Sequence, residues 1–155
     1  DAALPQKWLR ETTMYKNILL AVDLNDEASW KKALPTALQL CEGKDDQLHV
    51  LTVVPDFGMS IVGQFFPKGY EKGVADKVME ALKTFVTENV PDDVKARSIV
   101  GEGTVYEVIL DMSKKVGADL IVVAAGRDDL KDFLLGPNAA RVVRHAKCTV
   151  MVVRD

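Results

Sequence analysis

Asn17-Ile18-Leu19-Leu20-Ala21-Val22 opens the regular pattern of this chain, and only its first residue is polar. A strand wetted on one side would alternate polar and apolar positions. A short unbroken apolar run instead reads as a strand covered by helices on both faces. The flanking sequence agrees. Trp30, Ala33, Leu34, Ala37, Leu38 and Cys41 recur at helical spacing behind the capping candidates Asn25 and Asp26, and Pro35 is expected to kink this helix or to divide its first turns from the rest. Residues 48–54 make a second strand, stopped by Pro55, and Val74, Val78, Leu82, Phe85 and Val86 mark a second helix. A third strand lies within 94–100. A third helix starts near Thr104, which has capping-box spacing to Glu107 ahead of Val105, Val108, Ile109 and Met112. Residues 120–125, Leu-Ile-Val-Val-Ala-Ala, form a fourth buried strand, and a last helix from about Asn138 to His145 leads into a fifth strand, 149–153. Strands alternating with helices throughout imply right-handed crossovers, hence an α/β fold with a five-stranded parallel sheet flanked by helices on both faces, Rossmann-like.

With 155 residues, a single core is expected. Residues 1–13 precede Met14 and are read as an N-terminal extension or cloning remnant, which leaves one domain over 14–155. The apolar fraction of 48% and the charged fraction of 28% are those of a folding globular chain. The 20 basic and 23 acidic residues give a net charge of −3, too balanced for long-range attraction to nucleic acid. No apolar run approaches the roughly 20 residues a membrane helix needs, so no membrane insertion is expected. Cys41 and Cys148 are widely separated and lack a CxxC spacing, which suits reduced thiols in the cytoplasm better than a disulfide or a zinc site.

In open parallel sheets, ligands collect at the carboxyl ends of the strands. Three segments lie there. Asp23-Leu24-Asn25-Asp26 follows the first strand as an acidic turn; helix capping accounts for Asn25 and Asp26 but not for Asp23, which could accept hydrogen bonds from a ribose or an adenine amino group. Residues 125–138 connect the fourth strand to the last helix with Gly126 near one end and Gly136 near the other, where a backbone can approach a phosphate and a helix start offers unpaired N–H groups. Residues 56–67 are unusually apolar for a loop and should cover something: a nucleotide, a second subunit or the sheet edge.

The opening Tyr15-Lys16-Asn17-Ile18-Leu19-Leu20-Ala21-Val22-Asp23, the strand ending at Pro55, and the Leu134-Leu135-Gly136-Pro137-Asn138-Ala139-Ala140 stretch that runs on to Arg154 together resemble the universal stress protein family, in its nucleotide-binding branch similar to bacterial stress proteins F and G. The resemblance covers residues 14–155. It implies the strand order 3-2-1-4-5, an adenine nucleotide (ATP or AMP, with or without Mg2+) as ligand, and a homodimer formed by antiparallel pairing of strand 148–154. It also implies that Asp23, with Leu24 beside it, and Val53 hold the adenosine. The family's phosphate loop runs Gly, two residues, Gly, nine residues, Gly, then Ser or Thr. The nearest fit here places Ala124 and Arg127 at the first two glycines, Gly136 eight residues later, and Pro137 at the hydroxyl position. Gly126, Asn138 and Ala139 complete the candidate phosphate-side residues. Pro137 offers neither hydroxyl nor N–H; Asn138 could donate a side-chain amide, and Arg127 or Lys131 could supply a cation.

An enzyme is not expected: there is no GxSxG, HExxH or Walker motif, and of the two histidines His49 lies within a strand pattern and His145 near a helix end. The expected function is that of a cytoplasmic, dimeric sensor of adenine nucleotide that signals to a regulatory protein partner. The alternatives are an interaction protein whose phosphate loop has lapsed, or a slow ATPase.

Overall fold

A computed structural model describes residues 14–41, 46–54, 70–125 and 136–154. In chain order the elements are β1 (Asn17–Ala21), a single 3-10 turn (Glu27–Ser29), α1 (Ala33–Leu40), β2 (Gln47–Val54), α2 (Tyr70–Asn89), β3 (Lys95–Glu102), α3 (Val105–Val116), β4 (Leu120–Ala124), α4 (Gly136–His145) and β5 (Thr149–Val153). The five strands are parallel, in the order β3-β2-β1-β4-β5. The expected strand order and fold class are both present. Of the sequence readings, the apolar segment 56–67, Gly126, Arg127 and Lys131 lie outside the described residues, as do residues 1–13.

The alternation of side chains across the sheet divides the core in two. On one face Ile18, Leu20 and Val22 pack with Leu48, Val50 and Val122 beneath Ala33, Leu34 and Ala37 of α1 and Leu82 and Phe85 of α2. On the other, Leu19, Ala21, Leu51, Ile121 and Val123 lie beneath Val108 and Ile109 of α3 and Ala139 and Val142 of α4. Every residue of β4 is buried, and in β1 only Asn17 is not. This is why both strands are written in apolar residues without alternation.

Three local readings change. Asn25 and Asp26 do not cap the first helix; Asp26 caps the 3-10 turn, its Oδ1 accepting from Ala28 N at 3.1 Å, and α1 begins only at Ala33. Pro35 is the reason the two pieces separate. As the third residue of α1 it occupies a position whose N–H would have no helical partner, so it is tolerated there and nowhere further along. Trp30 therefore sits ahead of the helix, edge-on to Phe85 with ring centroids 5.0 Å apart. Thr104 does stand at the N-cap position of α3, but its side chain makes no capping hydrogen bond, so the expected box with Glu107 is not formed. Finally, α4 starts at Gly136, two residues before the expected Asn138, which brings Pro137 into its first turn, where proline's missing N–H costs nothing. Among the described residues, no helix is long and apolar enough to cross a membrane.

One close approach fixes how α3 lies on the sheet. A Cβ added at Gly101 in β3 would run into Cγ1 of Val108, a β-branched side chain held in one rotamer by its own helix. Gly101→Ala should therefore push α3 off the sheet and cost about 1–3 kcal/mol in urea unfolding. Adding Val108→Ala should recover part of that loss. A single variant as stable as the parent would show that α3 is not packed this tightly.

Candidate functional site

The chain leaves β1 through a turn organised by a buried hydroxyl. Ser29, 3% exposed, accepts from Asp23 N at 2.8 Å, and its Oγ lies 3.0 Å from Asp23 O and 2.7 Å from Asp26 O, either of which takes its single proton. Asp26 N donates to Asp23 O at 3.0 Å, and Asn25 N donates to Asp23 Oδ1, also at 3.0 Å. The Asp23 carboxylate is thus held at the strand's end by its own turn, with Oδ2 accepting no hydrogen bond among the described residues. Beneath it, Thr52 Oγ1 donates to Val22 O at 2.9 Å and Val22 N donates to Leu51 O at 2.8 Å, which lock the ends of β1 and β2 together. Ser29 and Thr52 were not singled out in the sequence. Thr52 is the one hydroxyl in an apolar strand, and that was its signal; Ser29 had none beyond its distance from Asp23.

Leu24 and Val53 flank this turn on opposite faces of the sheet. Leu24 packs into the core under α1 and α2, and half-buried Val53, aligned with Gly101 of β3, packs into the core under α3 and α4. Ala124 ends β4 at 5% exposure opposite Val153, and the next amide, Ala125 N, donates to Val153 O at 2.9 Å. The start of α4 lies at this same end of the sheet, because its far end, His145, runs almost directly into the beginning of β5. There Pro137 is exposed, Asn138 half-buried, and Ala139 buried against the second core. Asp23, Leu24, Val53, Ala124, Gly136, Pro137, Asn138 and Ala139 therefore share the carboxyl end of the sheet.

Asn138 does something the sequence did not reveal. Its Oδ1 accepts from Tyr106 N, in the first turn of α3, at 3.1 Å. The side chain expected to reach toward a phosphate thus presents its carbonyl to a neighbouring helix. The Tyr106 ring also lies under the Arg141 guanidinium, 5.1 Å from its centroid, a contact between α3 and α4 beside the core that Val108 and Ile109 share with Ala139 and Val142.

The remaining reactive groups are elsewhere or inert. His49 is 3% exposed and lies toward the amino end of β2, between Leu19 and Arg97 in register; its Nε2 is 3.4 Å from Asn17 Oδ1, and Nδ1 has no hydrogen-bond partner. Burial, reinforced by the Arg97 charge, holds its pKa below 6.5. Burial, with Asp46 nearby, pushes the half-buried Cys41 thiol up to about 11, and burial raises Cys148 as well, so neither is a ready thiolate. Among the described residues, no group of three or more His, Cys, Asp and Glu side chains is placed to hold a metal ion.

A doubly wound parallel α/β domain with an acidic turn and a helix start gathered at the carboxyl ends of its strands belongs to the class that binds ligands in that crevice. The profile of the universal stress protein family matches residues 14–154, and the chain belongs to that family. Universal stress protein G of Escherichia coli O157:H7 is 29% identical over 143 residues, which span 91% of this chain and all of that protein. The solved structure of hypothetical protein MJ0577 superposes with a TM-score of 0.70 at 25% identity, covering 92% of this chain and 97% of the other. A universal stress protein family protein from Arabidopsis thaliana, solved with AMP bound, has the same fold at 21% identity (TM-score 0.58, covering 90% and 91%).

The buried imidazole makes a signed prediction. A native pKa below the unfolded 6.5 means the unfolded chain takes up the proton first. The contribution of His49 is complete above pH 6.5 and is lost as the pH falls from there through the depressed native value. His49→Leu should flatten the fall in unfolding free energy between pH 7 and pH 5, by at most about 1.4 kcal/mol per pH unit. Parallel curves for parent and variant would show that His49 titrates alike in both states.

Proposed function

We propose that this chain is an adenine-nucleotide-binding regulatory protein that senses a nucleoside monophosphate and does not turn it over. The observation that carries this reading is the placing of the Asp23 turn and the first turn of α4 at the same, carboxyl end of the sheet, in a chain of the universal stress protein family. Asp23 Oδ2 would accept from the ribose hydroxyls or the adenine amino group, Val53 would pack on the base, and the main-chain N–H groups opening α4 would face the phosphate. The AMP-bound relative supports that class of ligand.

The composition of α4's first turn supports a monophosphate over a triphosphate. Pro137 supplies no N–H or hydroxyl, so its position offers no donor to a longer phosphate chain. The absence of hydrolytic motifs and the position of His49, away from this end, fit binding better than catalysis. In this reading the protein acts in the cytoplasm, and occupancy alters the surface that a regulatory partner meets.

Assembly is the second part of the proposal: a homodimer through β5. This strand is at the edge of the sheet, and its side chains are at least partly exposed. Because Val153 O faces β4, backbone alternation turns the N–H and C=O of Val152 toward the open edge. Such groups pair readily with a second copy across a two-fold axis, a contact that closes at two subunits.

Two outcomes test this. Saturating AMP should raise the melting temperature of the parent and leave Asp23→Ala, still folded, unmoved; equal shifts in the two would remove Asp23 from the site. Val152→Pro deletes only an outward-facing donor, so it should give a folded monomer by light scattering while the parent is a dimer. A parent that is monomeric at micromolar concentration, or a folded variant that still dimerises, would exclude this edge.

A further inference from the structure

We propose that Ser29 is the positioning residue of the nucleotide site: its buried hydroxyl aims the Asp23 carboxylate and thereby sets which hydrogen-bond donor of the ligand the protein selects; this rests on the nucleotide reading above. Asp23 stands at the carboxyl edge of the sheet with one oxygen engaged and one open. Asn25 N donates to Oδ1 at 3.0 Å, whereas Oδ2 accepts from no described residue. AMP carries two kinds of donor that such an oxygen could take, the ribose hydroxyls and the adenine amino group. Which one it reaches depends on the direction of the Asp23 Cα–Cβ bond, and hence on what holds the Asp23 main chain.

Ser29 holds it. Its Oγ accepts from Asp23 N at 2.8 Å and lies 3.0 Å from Asp23 O, so both main-chain groups of Asp23 converge on one hydroxyl six residues later. The sheet does not do this: its last bond here runs from Val22 N to Leu51 O, one residue short of Asp23. Asp26 N also donates to Asp23 O, at 3.0 Å, but that bond spans only the turn and moves with it. The hydroxyl, by contrast, is fixed from below. Ser29 is 3% exposed, its own N–H donates to Asp26 O at 3.0 Å, and the next residue, Trp30, packs edge-on to Phe85 of α2 against the first core. The line from Phe85 through Trp30 and Ser29 to Asp23 ties the aim of the carboxylate to the core, while Asn25, on the other side of it, is exposed.

A carboxylate held in this way selects by geometry. A fixed acceptor meets a donor only where the ligand places one, so a ligand that lacks the donor leaves Oδ2 desolvated and unpaired and binds more weakly. A carboxylate free to turn finds water or another donor instead, and the discrimination is lost with the aim. Removing the Ser29 hydroxyl leaves Oδ2 chemically unchanged. It withdraws the acceptor of Asp23 N and with it the direction of the side chain. Ser29 stays buried within the turn and reaches the ligand only through Asp23.

The test is calorimetry on the full chain with AMP and two analogues: dideoxy-AMP, which lacks both ribose hydroxyls, and purine riboside monophosphate, which lacks the amino group. The parent should bind at least one analogue about tenfold more weakly than AMP, the lower end of what a hydrogen bond to a charged group contributes. Ser29→Ala should remove most of the preference for AMP over one analogue and leave its ratio to the other unchanged. Ser29→Cys keeps the volume but hydrogen-bonds weakly, so it should do the same, and it serves where the alanine variant does not fold. Loss of all three ligands by one common factor would make Ser29 a structural residue only. An unchanged preference in a folded variant would free Asp23 from it. Either result overturns this role for Ser29 and leaves the nucleotide reading standing, as does a parent that binds all three ligands alike. If the parent binds none of them, the nucleotide reading falls and the role of Ser29 with it.

Discussion

Complete burial of two adjacent strands is the constraint from which the rest of this molecule follows. Neither β4 nor the length of β1 beyond Asn17 shows a side chain to water, so each needs helices on both faces. Crossovers on both faces supply them. α1 and α2 cover one side and α3 and α4 the other, and every strand consequently points the same way. The carboxyl ends are gathered along one edge, and the connections that leave them must turn back over the sheet. The acidic turn after β1, the α3 start after β3 and the α4 start after β4 are brought together by that return.

At that edge, main-chain polar groups are satisfied by side chains from neighbouring segments. Ser29 closes the turn at Asp23, Thr52 closes the end of β1 onto β2, and Asn138 closes α3. Buried backbone groups left unpaired cost on the order of a hydrogen bond each, so these three residues hold the shape of this end of the sheet. Pro137 stiffens the first turn of α4, and the Asn138–Tyr106 bond ties that turn to α3.

The strands were readable in the sequence because burial on both faces writes itself as unbroken apolar runs, and β1, β2, β4 and β5 begin and end within a residue of where the pattern put them. Boundaries set by helix starts were less legible. Asp26 could cap a 3-10 turn as well as a helix, and Pro35 is compatible with a kink or with a first turn, so spacing alone did not separate the two pieces around Trp30. Thr104 and Glu107 had the right separation for a capping box but lost to Asn138, a competitor visible only once α4 lies beside α3. Asp23 and the Gly136–Ala139 turn were legible because they are positions at strand and helix ends; Ser29 and Tyr106 were not, because their roles depend on which backbone groups the fold leaves unpaired.

The most direct test of an adenine-nucleotide site at the carboxyl edge is an AMP titration followed in the amide spectrum of the uniformly labelled chain. The prediction is saturable shifts concentrated at Asp23 to Asp26, Val53 and Val54, Ala124 and Ala125, and Gly136 to Ala139, skipping only Pro137, with the amino end of the sheet around Asn17, His49 and Arg97 unmoved. A spectrum indifferent to millimolar AMP, or shifts centred on that opposite end, would contradict it.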